Sequence, residues 1–552
     1  MLQKREHGDI EAGACGHGAI RQNALWGRTK RNGAIVLATM LVAAFAVLAG
    51  LAAPAQAAED TAYVPKPLYD AATADPDALF DVIVQGSKGK TSDDVAKVTE
   101  KALDDDKAKD AKFKRKFASI DGVSATLSGK QILKLARKSD VYAITEDSAT
   151  GATYSNSQLW VPATEVLAHS TNSWNASYSF PTIAIVDSGV QPRADFGSRL
   201  RAQVSFVSTG PNASGDGFGH GTLVASIAAG SAEGYTGMSP KSDLVSLDVL
   251  NDAGAGVMSD VIAACDWILA NKKTYNIRVA NFSLNAGSGA SILYDPLDAA
   301  VEKLWLDGVV VVAAAGNYAV NGAESGVLFS PANDPFVITV GADDVNGTSS
   351  NWNDFAAPWS AWGFTYDGFR KPELSAPGRR ITAAVPSTST LANLFPWRKV
   401  GSDYMWMSGT SFAAPVASGA AAWFLAKNPS WTPDQVKGAL MLDLDTPSGY
   451  TPGGALGLGV IDADGDVGTT SPPNPNAGLN QFVSNGTFDR EAWRKAAESS
   501  ASWNSASWSS ASWSSASWSS ASWSSASWSS ASWSSASWSS ASWSSASWAS
   551  SI

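Results

Sequence analysis

Cysteine and histidine are scarce in this 552-residue chain: Cys15, Cys265, His7, His17, His169 and His220 are the full set. Cys15 precedes a long apolar N-terminal run, so the chain beyond it has one thiol and no internal disulfide. Cys265 lies in the apolar stretch VIAACDWILA with no base beside it and reads as a small core residue. Positive charge is also short, with 40 Lys and Arg against 51 Asp and Glu and a net charge of −11. That balance argues against a nucleic-acid surface, which needs a basic face. What is present is 45% hydrophobic residues, enough for a large buried core.

The N-terminus carries Arg28, Lys30 and Arg31, then the apolar run GAIVLATMLVAAFAVLAGLAA, then AQAAED. This reads as an export signal over residues 1–57 with a long polar n-region, cleaved after the small residues Ala55 and Ala57. Its length also suits an uncleaved anchor. A secreted or extracellular location follows, with cell-surface association as the variant. Residues 58–153 are charged, with a strand-like ALFDVIVQ and a helix-like TSDDVAKVTEKALDDD, and suggest a compact α+β unit. The GKT at 89–91 lacks the upstream glycine of a phosphate loop, Val84 standing there, and reads as a turn.

From 154 to 467 short β-branched runs alternate with helical patterns: TIAIVDSG, DLVSLDVL, IRVANFSL, VVVVAAAGN and FVITVGA. This is the signature of an α/β unit with a mostly parallel sheet between helices. Sites in such sheets gather at the carboxyl ends of strands. Residues 468–500 read as a linker, TTSPPNPNAG, and a short helical patch, TFDREAWRKAAE. Residues 501–552 are an ASWSS repeat holding ten of the 23 tryptophans.

Three residues at these strand and helix ends suit nucleophilic catalysis. Asp187 ends the strand TIAIVD, His220 opens a helix in DGFGHGTLVASIAAG, and Ser411 stands in SGTSFAAPVASG. A serine hydroxyl is a weak nucleophile until a base takes its proton, and an imidazole titrates in the right range. The imidazole in turn needs a carboxylate to fix its tautomer and stabilise the imidazolium. The alternatives are a turn aspartate, a capping histidine and an N-cap serine. His169, in VLAHSTNS, has no motif around it.

IAIVDSGV, GHGTLVASIAAG and SGTSFAAPVASG, in this order, resemble the three signatures of the subtilisin-like serine proteases. GMSPKSDLVSLDVL, VANFSLNAGSG and RKPELSAPG are similar to further segments of that family, so the resemblance covers roughly residues 155–465. It implies a subtilisin-like three-layer α/β fold and a serine endopeptidase acting on protein and peptide substrates. Asp187, His220 and Ser411 would be the triad and Asn317 the side-chain donor of the oxyanion hole. The family binds peptide as an added strand between two extended segments. Here these match Ser283, Leu284, Asn285, Ala286 and Gly287 on one side and Ala313, Ala314 and Ala315 on the other. Asn285 and Ala286 replace the usual glycines, which bears on the family's broad apolar preference. Val416 stands where many members have histidine. Residues 78–147 are similar to the subtilisin propeptide, implying a zymogen inhibited by its own propeptide. No cofactor is required for this chemistry. Structural calcium is common in the family, yet no acidic loop matches a site, and no metal ligand is assigned.

Two rival readings accompany this one. The first is an inactive adhesive protein on a protease scaffold, with the tryptophan-rich tail touching cell envelope or polysaccharide. The second is a serine esterase, whose usual G-x-S-x-G elbow is absent here. The tail itself has a five-residue period that collects tryptophan on one face of neither a strand nor a helix.

Overall fold

The computed structural model describes residues 62–152, 178–347, 351–462 and 470–499. His169, the export signal and the ASWSS repeat lie outside the described residues.

The N-terminal unit is a four-stranded antiparallel sheet in the order Lys112–Phe117, Gly122–Ser128, Leu79–Gly86 and Val141–Glu146. Helices Ser92–Asp105 and Gly129–Leu135 pack on it through Val82, Val84, Val95, Leu127 and Ile132, all fully buried. The GKT sequence is a turn, with Gly89 at φ +83° leading into Thr91 as N-cap. Thr91 and Asp94 satisfy each other's backbone N–H groups in a capping box, which fixes where the helix begins.

The larger, catalytic unit expected from the sequence is built on a central sheet whose strands run, edge to edge, Leu444–Asp445, Val460–Ile461, Leu374–Pro377, Ile338–Asp344, Val310–Ala314, Ile277–Phe282, Thr182–Asp187, Leu244–Asp248 and Leu200–Ser205. Every pairing along this path is parallel except the first. The strands Thr182–Asp187, Leu244–Asp248 and Val310–Ala314 are buried at every residue, because helices cover both faces. That is why they read as continuous apolar runs instead of alternating ones. Cys265 is buried in helix Met258–Tyr275, and burial pushes its thiol well above the usual range. Val416 is buried in helix Thr410–Lys427.

The stretch expected to be a linker and patch folds onto the catalytic unit. Trp493 is fully buried, stacked 5.6 Å from Phe369 and tilted against Phe488 at 6.3 Å, and Arg490 pairs with the buried Glu302. Phe488, Trp493 and Ala497 form one apolar stripe, which a free helical patch would leave wet. Among the described residues no helix is long and apolar enough to cross a membrane.

Candidate active site

Asp187 and His220 meet through local rules. The strand Thr182–Asp187 delivers its carboxylate at the carboxyl end, where the Ser188 N–H donates to Asp187 Oδ1 at 2.8 Å. His220 is the first residue of helix His220–Ala229, entered through Gly219 at φ +99°. A Cβ at Gly219 would stand 2.4 Å from Ser389 Oγ, so both conformation and space require glycine there. The two side chains are fully buried, with His220 Nδ1 2.7 Å from Asp187 Oδ1. With Nδ1 donating to that carboxylate, Nε2 carries the lone pair, and it has no hydrogen-bond partner.

Asp216 was not singled out by sequence, although it begins DGFGHGT. Its Oδ1 accepts from the Gly219 N–H at 2.6 Å and the Ser188 hydroxyl at 2.9 Å. Its Oδ2 accepts from the N–H and hydroxyl of Thr222 at 2.8 and 2.6 Å. This buried carboxylate therefore ties the loop after Asp187 to the helix bearing His220. Asp248, in register with Asp187 on the next strand, is a second carboxylate beside the pair. Burial, with the Asp187 charge adding to it, pushes Asp248 up to about 6 against the donors of Asn212 and Ser205.

Ser411 is the second residue of helix Thr410–Lys427. Pro415, four residues on, has no N–H for the Ser411 carbonyl. That carbonyl instead accepts the Ser283 hydroxyl at 2.8 Å, while the Ser411 hydroxyl donates to the Ser283 carbonyl at 3.0 Å. The structure thus brings Ser411 to Ser283, and the next residue's ring, Phe412, lies 5.3 Å from the His220 imidazole. The Ser411 hydroxyl is turned to the Ser283 carbonyl, and no hydrogen bond joins it to His220 Nε2.

Asn317 follows the strand Val310–Ala314. Its Oδ1 accepts from the N–H and hydroxyl of Thr410 at 2.9 and 3.1 Å, which anchors the amide to the start of the serine helix. Its Nδ2 is buried without a hydrogen-bond partner.

The segment Ala149–Ala152 is the middle strand of a separate three-stranded antiparallel sheet. Leu284–Ala286 flanks it on one side, with Ala152 opposite Leu284, and the Gly287 N–H donates to the Ala149 carbonyl at 2.5 Å. The other flank is Ala255–Val257, whereas Ala313–Ala315 lies in and beside the central sheet. Ala313 and Ala314 are already paired within the central sheet, and the Ala315 N–H donates to Val340. Backbone groups spent on one ladder cannot bind another strand. Just upstream, Asp147 accepts from the N–H and hydroxyl of Ser259 at 2.7 and 2.6 Å, at the N-terminus of helix Met258–Tyr275.

Comparison with known proteins agrees with this architecture. The subtilase family matches residues 179–459. Serine protease AprX of Bacillus subtilis (strain 168) is 36% identical over 296 residues, 52% of this chain and 66% of that protein. Subtilisin E of the same organism is 32% identical over 340 residues, 60% of this chain and 77% of its own length. The structure of fervidolysin from Fervidobacterium pennivorans, a keratinolytic enzyme related to subtilisin, superposes with a TM-score of 0.54 at 20% identity. That match covers 72% of this chain and 62% of fervidolysin, and it bears on fold alone. With the match spanning nearly all of the central sheet and all three signature segments, this chain belongs to the subtilase family of serine endopeptidases.

Proposed function

We propose that the chain is an exported zymogen that cuts itself free of its N-terminal unit and then hydrolyses peptide bonds through Asp187, His220 and Ser411. The observation that carries this reading is the strand Ala149–Ala152, which occupies a cleft between two edges and runs toward Ser283 and Ser411. A peptide added as a strand is fixed by its backbone, whatever its side chains. On this reading the chain's own segment stands in for a substrate strand.

In the proposed reaction His220 Nε2 takes the Ser411 proton as the hydroxyl attacks the carbonyl carbon. Asp187 stabilises the imidazolium, which then gives its proton to the leaving amine. The tetrahedral oxygen accepts from Asn317 Nδ2 and from the Ser411 N–H at the helix N-terminus. Water then releases the acyl group. These steps need only protein groups, and no cofactor is invoked.

Export rests on the N-terminal apolar run, and retention at the cell envelope on the ASWSS repeat. The test is N-terminal sequencing and intact-mass measurement of the protein beside its Ser411→Ala variant. The active protein is expected to lose its N-terminal unit by a cut shortly after Ala152, and the variant to remain full size apart from signal removal. Normal processing of the variant in a protease-free host would overturn self-cleavage. Truncation after Ser500 is expected to keep activity on soluble peptides and move the enzyme from cells to medium. Equal partitioning would overturn the retention role.

A further inference from the structure

The register of the strand Ala149–Ala152, called the tail strand because it ends the N-terminal unit, locates the pocket for the residue on the acyl side of the cut bond. Thr150 faces Ala286, Gly151 faces Asn285 and Ala152 faces Leu284. A peptide continuing in this register presents its acyl-donating residue opposite Ser283, whose carbonyl holds the Ser411 hydroxyl. Side chains alternate along a strand, and residues opposite each other share a face. The side chain of the acyl-donating residue therefore emerges on the same face as Asn285.

That face is already filled. Asn285 reaches across it, Nδ2 donating to the Ala314 carbonyl at 3.2 Å. The side chain is buried, and its Oδ1 has no hydrogen-bond partner. Gly316 forms the floor beyond Ala314, with its N–H donating to the Thr410 hydroxyl at 3.0 Å. A Cβ built on Gly316 would lie 3.3 Å from Asn285 Oδ1 and 2.3 Å from a ring carbon of Tyr318. Two side chains thus converge over the floor, one from each side. Tyr318 is not free to swing away, because its hydroxyl accepts from the Leu328 N–H at 3.0 Å and its ring meets Phe329 edge-on at 5.1 Å.

We propose that Asn285 and Tyr318 close the pocket beside Ser411, so that this enzyme cuts after glycine, alanine and serine and rejects aromatic and long aliphatic residues there. This rests on the peptidase reading above and adds the substrate class to it. A large side chain must displace an anchored amide or an anchored ring, and an apolar one would also cover the unpaired Oδ1, which costs free energy. The strand in the cleft, Ala-Thr-Gly-Ala, consists of small residues.

The test uses the active enzyme obtained from the full chain and two succinyl-tetrapeptide p-nitroanilides that differ only in a final Ala or Phe. Cut sites in denatured casein are mapped alongside by mass spectrometry. The kcat/KM for Ala is expected to exceed that for Phe by at least about tenfold, and casein cuts to follow Gly, Ala and Ser. Asn285→Gly is expected to raise the Phe-to-Ala ratio by about tenfold. If that variant does not fold, Asn285→Ala carries the same expectation. A preference for Phe in the parent enzyme, cuts mainly after large residues, or an unchanged ratio in the folded variant would overturn the proposal. Cleavage of neither peptides nor casein would instead overturn the peptidase reading itself.

Discussion

The catalytic unit and the N-terminal unit hold together by different means. The inner strands Thr182–Asp187 and Val310–Ala314 of the central sheet are buried at every position, and helix Thr410–Lys427 is buried over all but its last residue. The N-terminal strand Lys112–Phe117 instead turns Lys112, Lys114 and Lys116 outward. Polar contacts join this unit to its neighbour. Arg115 meets Asp260 at 3.0 Å, Asp266 accepts from the N–H groups of Ala118 and Ser119, and the Tyr142 hydroxyl donates to Leu293. Tyr63 stacks on Tyr294 at 3.6 Å, and Ile83, Phe117 and Ile120 are buried against the neighbouring core, so the seam also holds a small apolar patch. Water can replace such hydrogen bonds at small net cost, whereas it cannot replace buried apolar contact. The difference teaches that the interface of the N-terminal unit, with more polar contact and only a small apolar patch, suits separation better than the sheet core does, as the proposed self-cleavage requires.

The largest expected effect lies in the permanent unit. Ser411→Ala and His220→Ala should each lower peptide turnover by about 10⁴ to 10⁶ with the fold kept, and Asp187→Asn by about 10⁴ through the wrong imidazole tautomer. Initial-rate assays with circular dichroism check this, and near wild-type turnover in any folded variant would sink the triad.

Asn317→Ala comes next, with kcat reduced about 10² to 10³ and KM little changed, the size found for the corresponding donor in subtilisin. A loss confined to KM would make Asn317 a binding residue. The separable interface should respond more weakly. Arg115 is about one-third exposed, so Arg115→Ala should weaken the hold of the N-terminal unit by roughly 1 kcal/mol, seen as activity emerging about fivefold sooner. An unchanged time course would show that Arg115 contributes nothing measurable.

The smallest effect is a pH dependence of stability. Burial pushes the Asp295 and Asp367 carboxyls up to about 6, so the native state keeps protons that the unfolded chain releases near pH 4. Their contribution is full below about pH 4 and is lost as pH rises through 6. The Tm of Asp367→Asn relative to the parent should therefore move upward by about 2–4 °C between pH 5 and 8. A constant difference would overturn this assignment.

Sequence patterns were most legible where one local rule acts. The near-continuous apolar runs announce strands covered on both faces, and the capping residues Thr91 and Asp94 announce a helix start. Histidine scarcity left two candidate bases, and glycine-rich turns marked His220 and Ser411 at element ends. Less legible were positions defined by another segment. Ala313–Ala315 and Ala255–Val257 are both short runs of mostly small residues, and only the hydrogen-bond ladders show which segment each one pairs with. The stretch 470–499 looks polar enough to be a linker, and its stripe of Phe488, Trp493 and Ala497 matters only because Phe336 and Phe369 await it.

By itself the sequence determined the periodicity of the strands, the order Asp187, His220 and Ser411, and the charge that separates the N-terminal unit from the core, because each is a property of neighbouring residues. Tertiary structure alone decided that Asp187 and His220 lie 2.7 Å apart, that the tail strand is gripped by Ala255–Val257, and that Asn285 and Tyr318 converge over Gly316. Those facts join residues tens to more than a hundred positions apart, and no local propensity sets such a distance; it is fixed only when the sheet packs and its free edges are known.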